Sequence, residues 1–464
     1  MRTAAVVLVV LLALTAPASP AAPADTDLSS ALAARFDAGK DLEKTRKYLA
    51  RVGKIFDLAT SRKVHQDVSL HEPVLREAAA TIRRDALAGT FGLLDVRLPA
   101  REKVHPGRTL DAILDHVEAE LGRAEEDRRK AFAKLSAEER THVLAQAPKL
   151  LDAMEKHIYL DLSPASLAGN VRLLQIAKKV DYAALASCAL RAAATVSPGV
   201  LDALEKAVEA DDKLDPQART VAERETPHGK LVVAGRGDDR HRGTRIKGRK
   251  RVPETKIAWL VDLGGDDVYT RSAGGARDGL SVFADLGGDD VYDTWEDFTQ
   301  ACGLLGVGIL VDRAGNDTYT ADEAAQGAGF FGAGLLIDMA GDDRYRALRH
   351  SQGFAAWGVG ALCDRAGNDR YQALEFAQAT AFSHAVAVLD DRAGDDDYLV
   401  KGPRPTNYGD GGLVDSFGQG SALGFRKPTG QIYAPGGIAL FLDGGGRDRL
   451  EAGHFSQGAG YVFG

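Results

Sequence analysis

Residues 312–345 read DRAGNDTYTADEAAQGAGFFGAGLLIDMAGDDRY, a stretch that opens and closes on one eight-residue word, Asp-x-x-Gly-(Asp/Asn)-Asp-x-Tyr. The first Asp of the word recurs at Asp262, Asp285, Asp312, Asp338, Asp364 and Asp391, at intervals of 23, 27, 26, 26 and 27 residues. Degenerate copies start at Ala234 (AGRGDDRH) and Asp443 (DGGGRDRL), and Asp415 reads as a worn copy between Asp391 and Asp443. Gln300, Gln326, Gln352 and Gln378 keep phase at intervals of 26, and Gln457 opens a final half-copy. A fixed period of this size marks a stacked array, in which one unit cannot bury its apolar face without its neighbours.

Two residues before each anchoring Asp stands a large apolar side chain: Leu260, Phe283, Leu310, Leu336, Leu362, Leu389, Leu413 and Phe441. The residue between varies, even to Asp390, which predicts a strand with one inward face and one tolerant face. The Gly at the fourth position of the word turns the chain where a Cβ would clash. Tyr269, Tyr292, Tyr319, Tyr345, Tyr371 and Tyr398 then open a second short strand. His384 is expected as a corner variant at the place of Gly332 and Gly358. Gly every few residues excludes stacked helices, so each unit reads as one coil of a parallel β-helix. The fold class expected is α plus β-solenoid, an N-terminal helical bundle followed by a parallel β-helix of about eight to nine coils.

Stacking dictates the chemistry. Equivalent residues of adjacent coils lie about 4.8 Å apart. The Gln column is expected to run as an amide ladder, each side chain donating to the next. Two carboxylates at that separation repel by roughly 3 kcal/mol at an effective dielectric near 20. The Asp columns must therefore carry protons, bond to turn N–H groups, or hold cations between them.

The word Asp312-Arg-Ala-Gly-Asn-Asp-Thr-Tyr319 resembles Gly-Gly-x-Gly-x-Asp-x-U, the calcium-binding nonapeptide of the RTX (haemolysin-type) exported proteins. It matches at Gly315, Asp317 and Tyr319. The resemblance implies calcium between turns, with Asp267, Asp290, Asp317, Asp343, Asp369 and Asp396 as ligands and Asp239 and Asp448 at the ends. Here Asp replaces the first Gly of that motif, at Asp262, Asp285, Asp312, Asp338, Asp364 and Asp391, which could add a hard oxygen ligand. The word also appears once per coil instead of in tandem, and only in the second half of the chain.

The chain of 464 residues is long enough for more than one domain. Arg2, the apolar run Ala4 to Leu14 and Ala22-Pro23-Ala24 read as a signal peptide over residues 1–24, so an exported protein, periplasmic or extracellular, is expected. No later stretch is expected to span a membrane. Cys188, Cys302 and Cys363 are too few and too spread for a disulfide framework or a disulfide-linked partner. Residues 25–212 repeat apolar side chains at three and four and carry helix-start signals, among them Ser136-Ala137-Glu138-Glu139, so a helical domain is expected there. Glu139 and His142 have the spacing of a di-iron ligand pair, but a second such pair is missing and helix-surface roles are favoured. Residues 213–230 read as a linker before the repeats of 231–464. The net charge of −8 is uneven: from Ile257 onward there are 30 Asp plus Glu against 15 Lys plus Arg. The nine Lys or Arg of the loop 236–256 lack interleaved aromatics, so a solvated loop is expected and no nucleic-acid partner.

Nucleophile elbows, His-Glu-x-x-His, phosphate loops and Cys pairs are missing from the sequence. The repeat breaks in the irregular loops of 401–436, which carry Arg404, Tyr408, Asp410, Arg426 and Lys427 as a candidate ligand-binding surface. The function expected is a calcium-binding binding or structural module at the cell envelope, with a glycan or another envelope component as partner. The alternatives are a β-helix polysaccharide lyase or hydrolase acting on acidic glycans, and a purely structural array without tight metal.

Overall fold

The computed structural model describes residues 72–98, 105–158, 164–242, 246–247, 250–251, 256–270, 272–294, 296–406, 412–426 and 433–461. The signal-peptide segment lies outside the described residues. The repeats and the helices that pack on them fall in one compact unit, which holds residues 81–464.

From about residue 230 to 400 the chain winds as a parallel β-solenoid of about six turns. From Ile257 onward each turn contributes one strand to each of three sheets, of nine, eight and seven strands. The first sheet holds the strand that ends on the anchoring Asp (Val307–Asp312, for example), the second the strand that begins before the Tyr (Thr318–Ala321), and the third a short strand after the Gln corner (Gly329–Phe330). Register follows the repeat: Asp312 pairs with Asp285 and Asp338, and Tyr319 with Tyr292 and Tyr345. Within the stretch read as a linker, Thr220–Thr226 forms a strand antiparallel to Gly229–Ala234 at the head of the first sheet.

Inside the solenoid, Leu260, Phe283, Leu310, Leu336, Leu362, Leu389 and Phe441 pack against the tyrosine column. Tyr292, Tyr319, Tyr345, Tyr371 and Tyr398 stack face to face with centroids 4.6 to 4.8 Å apart. Gly315 shows why the word needs its glycine: φ is +154°, and a Cβ there would stand 1.7 Å from the carbonyl oxygen of Gly288 in the coil before.

Expectations about the columns are corrected in four places. Leu389 pairs directly with Phe441, so the words at Asp391 and Asp443 belong to neighbouring coils separated by insertions. Asp415 is therefore no copy of the word; it sits at the Gln corner, bridged to His454, and Leu413 is 45% exposed instead of inward. The Gln column is not an amide ladder. Gln326 Nε2 donates to the carbonyls of Tyr319 (3.1 Å) and of Arg346 in the next coil (3.0 Å), and Gln352 and Gln378 do the same. The corner places Gln326 at φ +53°, so its amide faces backbone instead of the next Gln. Gln419, hidden from the spacing by the insertion, is the next member of this column. Finally, His384 stands beside Trp357 in the column of Leu305 and Phe331, not of Gly332 and Gly358, because its coil carries one residue more.

The outer face of the first sheet is not tolerant of solvent. Ile309, Leu335 and Val388, which alternation points outward, are 0, 4 and 0% exposed. Helices cover this face. α1 (Glu72–Arg84), α2 (Ala86–Leu93), α3 (Leu110–Ala131), α4 (Ala137–Ile158), α5 (Pro164–Ala177), α6 (Tyr182–Ala194) and α7 (Pro198–Glu209) precede the strands, and α2 and α6 contact the sheet. Asp390, on that face, is buried between Arg83 and Arg392 at 3.1 and 3.3 Å. Trp259 donates to the Thr195 carbonyl (3.3 Å), and Tyr182 to that of Trp357 (3.2 Å). The capping box at Ser136 forms, with Glu139 N–H donating to Ser136 Oγ and Ser136 N–H to Glu139. Contrary to expectation, Tyr182–Glu209 is long and apolar enough to cross a membrane; half of that window is buried inside the protein, and Pro198 starts a separate helix within it.

Candidate metal centre

Each turn of the word brings two carboxylates inward. The first Asp ends a strand whose inward position it shares with the Leu two places before; the sixth stands immediately before the strand that carries the Tyr. Asp285, Asp312, Asp317, Asp338, Asp343, Asp364 and Asp369 are fully buried, Asp262, Asp267 and Asp290 are 1% exposed, Asp391 is fully buried and Asp396 2% exposed. The fifth-position residues Asp289, Asn316 and Asp342 stay exposed and accept backbone N–H groups from the next coil.

From Asp285 to Asp369 the two buried columns divide their oxygens in a fixed way. Oδ1 of the first Asp caps its own turn, as where Gly287 N–H donates to Asp285 (2.9 Å) and Ala340 N–H to Asp338 (3.2 Å). Its Oδ2 accepts the tyrosine hydroxyl of the coil before, at 2.6 Å for Tyr292 to Asp312 and 2.7 Å for Tyr345 to Asp364. Oδ1 of the sixth Asp accepts the N–H of its counterpart one coil earlier, at 2.6 Å for Asp290 to Asp317 and 2.7 Å for Asp343 to Asp369. Oδ2 of the sixth Asp accepts nothing: in Asp290, Asp317, Asp343, Asp369 and Asp396 it is buried without a hydrogen-bond partner.

The carboxylates of the two columns converge. Asp267, Asp285 and Asp290 place ligand atoms within 4.8 Å of one another, and so do Asp290, Asp312 and Asp317, then Asp317, Asp338 and Asp343, then Asp343, Asp364 and Asp369. Asp290, Asp317 and Asp343 thus each belong to two triads. Burial, reinforced by neighbouring carboxylates, pushes Asp290 up to about 9 and Asp343 to about 10. Burial likewise raises Asp317 and Asp396 to about 8, Asp369 to about 7, and Asp267 and Asp338 to about 6. Asp285, Asp312 and Asp364, deeper still, lie well above the ordinary carboxylate range for the same reason, and Asp391 is raised too.

The donor set fits a hard divalent cation. It is all-oxygen and has an unbonded Oδ2 on each of Asp290, Asp317, Asp343, Asp369 and Asp396, and oxygen ligands are what calcium takes. Two carboxylates per coil against one divalent ion per triad would leave the file neutral.

The loop residues do not assemble comparably. Arg404 lies 3.8 Å from buried Glu375, and Arg426 lies in the hairpin strand Phe425–Arg426. Tyr408, Asp410 and Lys427 lie outside the described residues. Glu139 binds Lys179 at 2.5 Å and His142 Nε2 lies 3.3 Å from the Gly169 carbonyl, so that pair is engaged in helix contacts. The three cysteines are free and buried. Sequence reasoning missed His241: it occupies the Tyr position of the degenerate word at Ala234, and aligning that word to its last residue would have found it.

No protein-family model matches the chain, and no curated protein or solved structure shows significant similarity to it.

Proposed function

We propose that the protein is an exported calcium-binding β-solenoid, a helical bundle followed by eight to nine coils, serving as a binding or structural module at the cell envelope with a glycan or another envelope component as partner. The observation that carries the reading is the file of unpartnered Oδ2 atoms on Asp290, Asp317, Asp343, Asp369 and Asp396. A backbone N–H accounts for one oxygen of each of these carboxyl groups and leaves the other buried and unbonded, which a cation would relieve. Because the ion would bind the folded coils and not the open chain, it would add stability by mass action. Metal analysis of the full-length protein should find calcium in multiple equivalents, and excess chelator should lower Tm by several degrees or more. An unchanged melt in chelator removes the metal reading.

A metal-free array has one observation in its favour: carboxyls raised to about 7 to 10 hold protons near neutral pH and share them with neighbours. The chelator melt decides between the two. The rival of another class, a polysaccharide-directed enzyme, rests on the loops of 401–436. A depolymerisation screen on acidic glycans, with Arg404→Ala and Arg426→Ala as controls, tests it; activity lost in those variants would displace the module reading.

A further inference from the structure

The solenoid's first turn changes one chemistry-bearing residue of the repeat. His241 stands where later coils have Tyr: it pairs in register with Tyr269, and its ring stacks on that of Tyr269 with centroids 4.8 Å apart and planes 18° from parallel. A tyrosine here would send its hydroxyl to the first Asp of the next coil. His241 instead brings Nε2 to 3.1 Å from Asp262 Oδ2, in a geometry that forms no hydrogen bond, while the residue is only 8% exposed. A ring nitrogen of His241 and carboxylate oxygens of Asp262 and Asp267 lie within 4.8 Å of one another. The Tyr269 hydroxyl reaches both carboxylates, at 3.0 and 3.2 Å. Asp239, which the repeat would place in this set, lies instead 3.6 Å from Arg219.

One imidazole nitrogen and two carboxylates form a different donor set from the all-oxygen triads further along. Calcium takes oxygen ligands and gains little from imidazole, whereas zinc and its transition-series neighbours accept nitrogen and carboxylate together, with three protein ligands sufficing. We propose that His241, Asp262 and Asp267 form a site for a zinc-class divalent cation at the N-terminal end of the solenoid, sharing Asp267 with the first all-oxygen triad. The site is independent of the calcium reading, since it persists if the later triads hold only protons.

The test is the zinc content of the full-length protein after stripping, reloading with zinc and dialysis, in calcium-free and in calcium-containing buffer. His241→Tyr restores the residue of the other coils and so preserves the stack. It is expected to hold one zinc ion fewer per chain than the wild type in both buffers, with calcium content unchanged. His241→Gln, which keeps a polar side chain without the imidazole, should lose the same ion and covers the case in which the Tyr variant fails to fold. Equal zinc in the wild type and a folded variant, or no zinc in either, would overturn the assignment. Zinc also bound at the all-carboxylate triads in calcium-free buffer would raise both totals and leave the difference of one intact.

Discussion

A single carboxylate in the file answers to two demands. Asp317 gives Oδ1 to the Asp290 N–H and leaves Oδ2 for whatever neutralises the triads. Asp317→Asn retains an acceptor for that N–H but removes the charge. In chelator at pH 8 the variant should melt at or above the wild type, because a buried charge is gone; in calcium it should melt below it and bind less calcium. Parallel behaviour of the two proteins in both buffers would show that the charge serves no ion. Tyr345 makes the complementary point. Tyr345→Phe keeps the ring in its stack but withdraws the donor from Asp364, leaving a buried acceptor unmet at a cost of about 1–3 kcal/mol. Denaturant unfolding in chelator measures this, and a loss below a few tenths would mean the hydroxyl is idle.

The turn that joins the first two strands of a coil is the element that titrates. Burial raises its carboxyls above the value near 4 expected for an unfolded chain, so the folded state binds protons more tightly. The resulting stabilisation is complete below pH 4 and is lost as pH climbs through about 6 for Asp267 and Asp338, 7 for Asp369, 8 for Asp317 and Asp396, 9 for Asp290 and 10 for Asp343. In chelator, Tm should therefore fall steadily between pH 5 and pH 9. Calcium competes with those protons, so the shift it produces should grow over the same range. A chelated protein that becomes more stable with rising pH would contradict both the burial and its electrostatic consequence. The Gln corner balances differently: its left-handed backbone at Gln326 and Gln352 is offset by one amide bridging two carbonyls of successive coils.

Across the molecule, helices and coils share an apolar interface. Ile309, Leu335 and Val388 face outward from the first sheet and are covered. A chain reduced to residues 213–464 would expose that face, so it is expected to aggregate or to bind a hydrophobic dye where the full-length protein does neither. A soluble, monomeric, dye-silent fragment would mean that the helices are dispensable for the solenoid. Metal measurements accordingly belong to the full chain.

Whatever repeats is legible in the residues alone: the period, the inward Leu and Tyr columns, the glycine turn and the crowding of two Asp columns all follow from equal spacing, because stacking turns equal spacing into contact. Insertions hid Gln419 and made Leu413 and Asp415 look like members of the array, since a column is defined by pairing and not by distance along the chain. Which carboxylate oxygens are free emerges only in the folded chain, because that depends on N–H and hydroxyl groups of neighbouring coils. So does the covering of the outer face, where Asp390 meets Arg83 from a helix some three hundred residues earlier in the chain. Contacts of that reach leave no periodic trace in a single sequence.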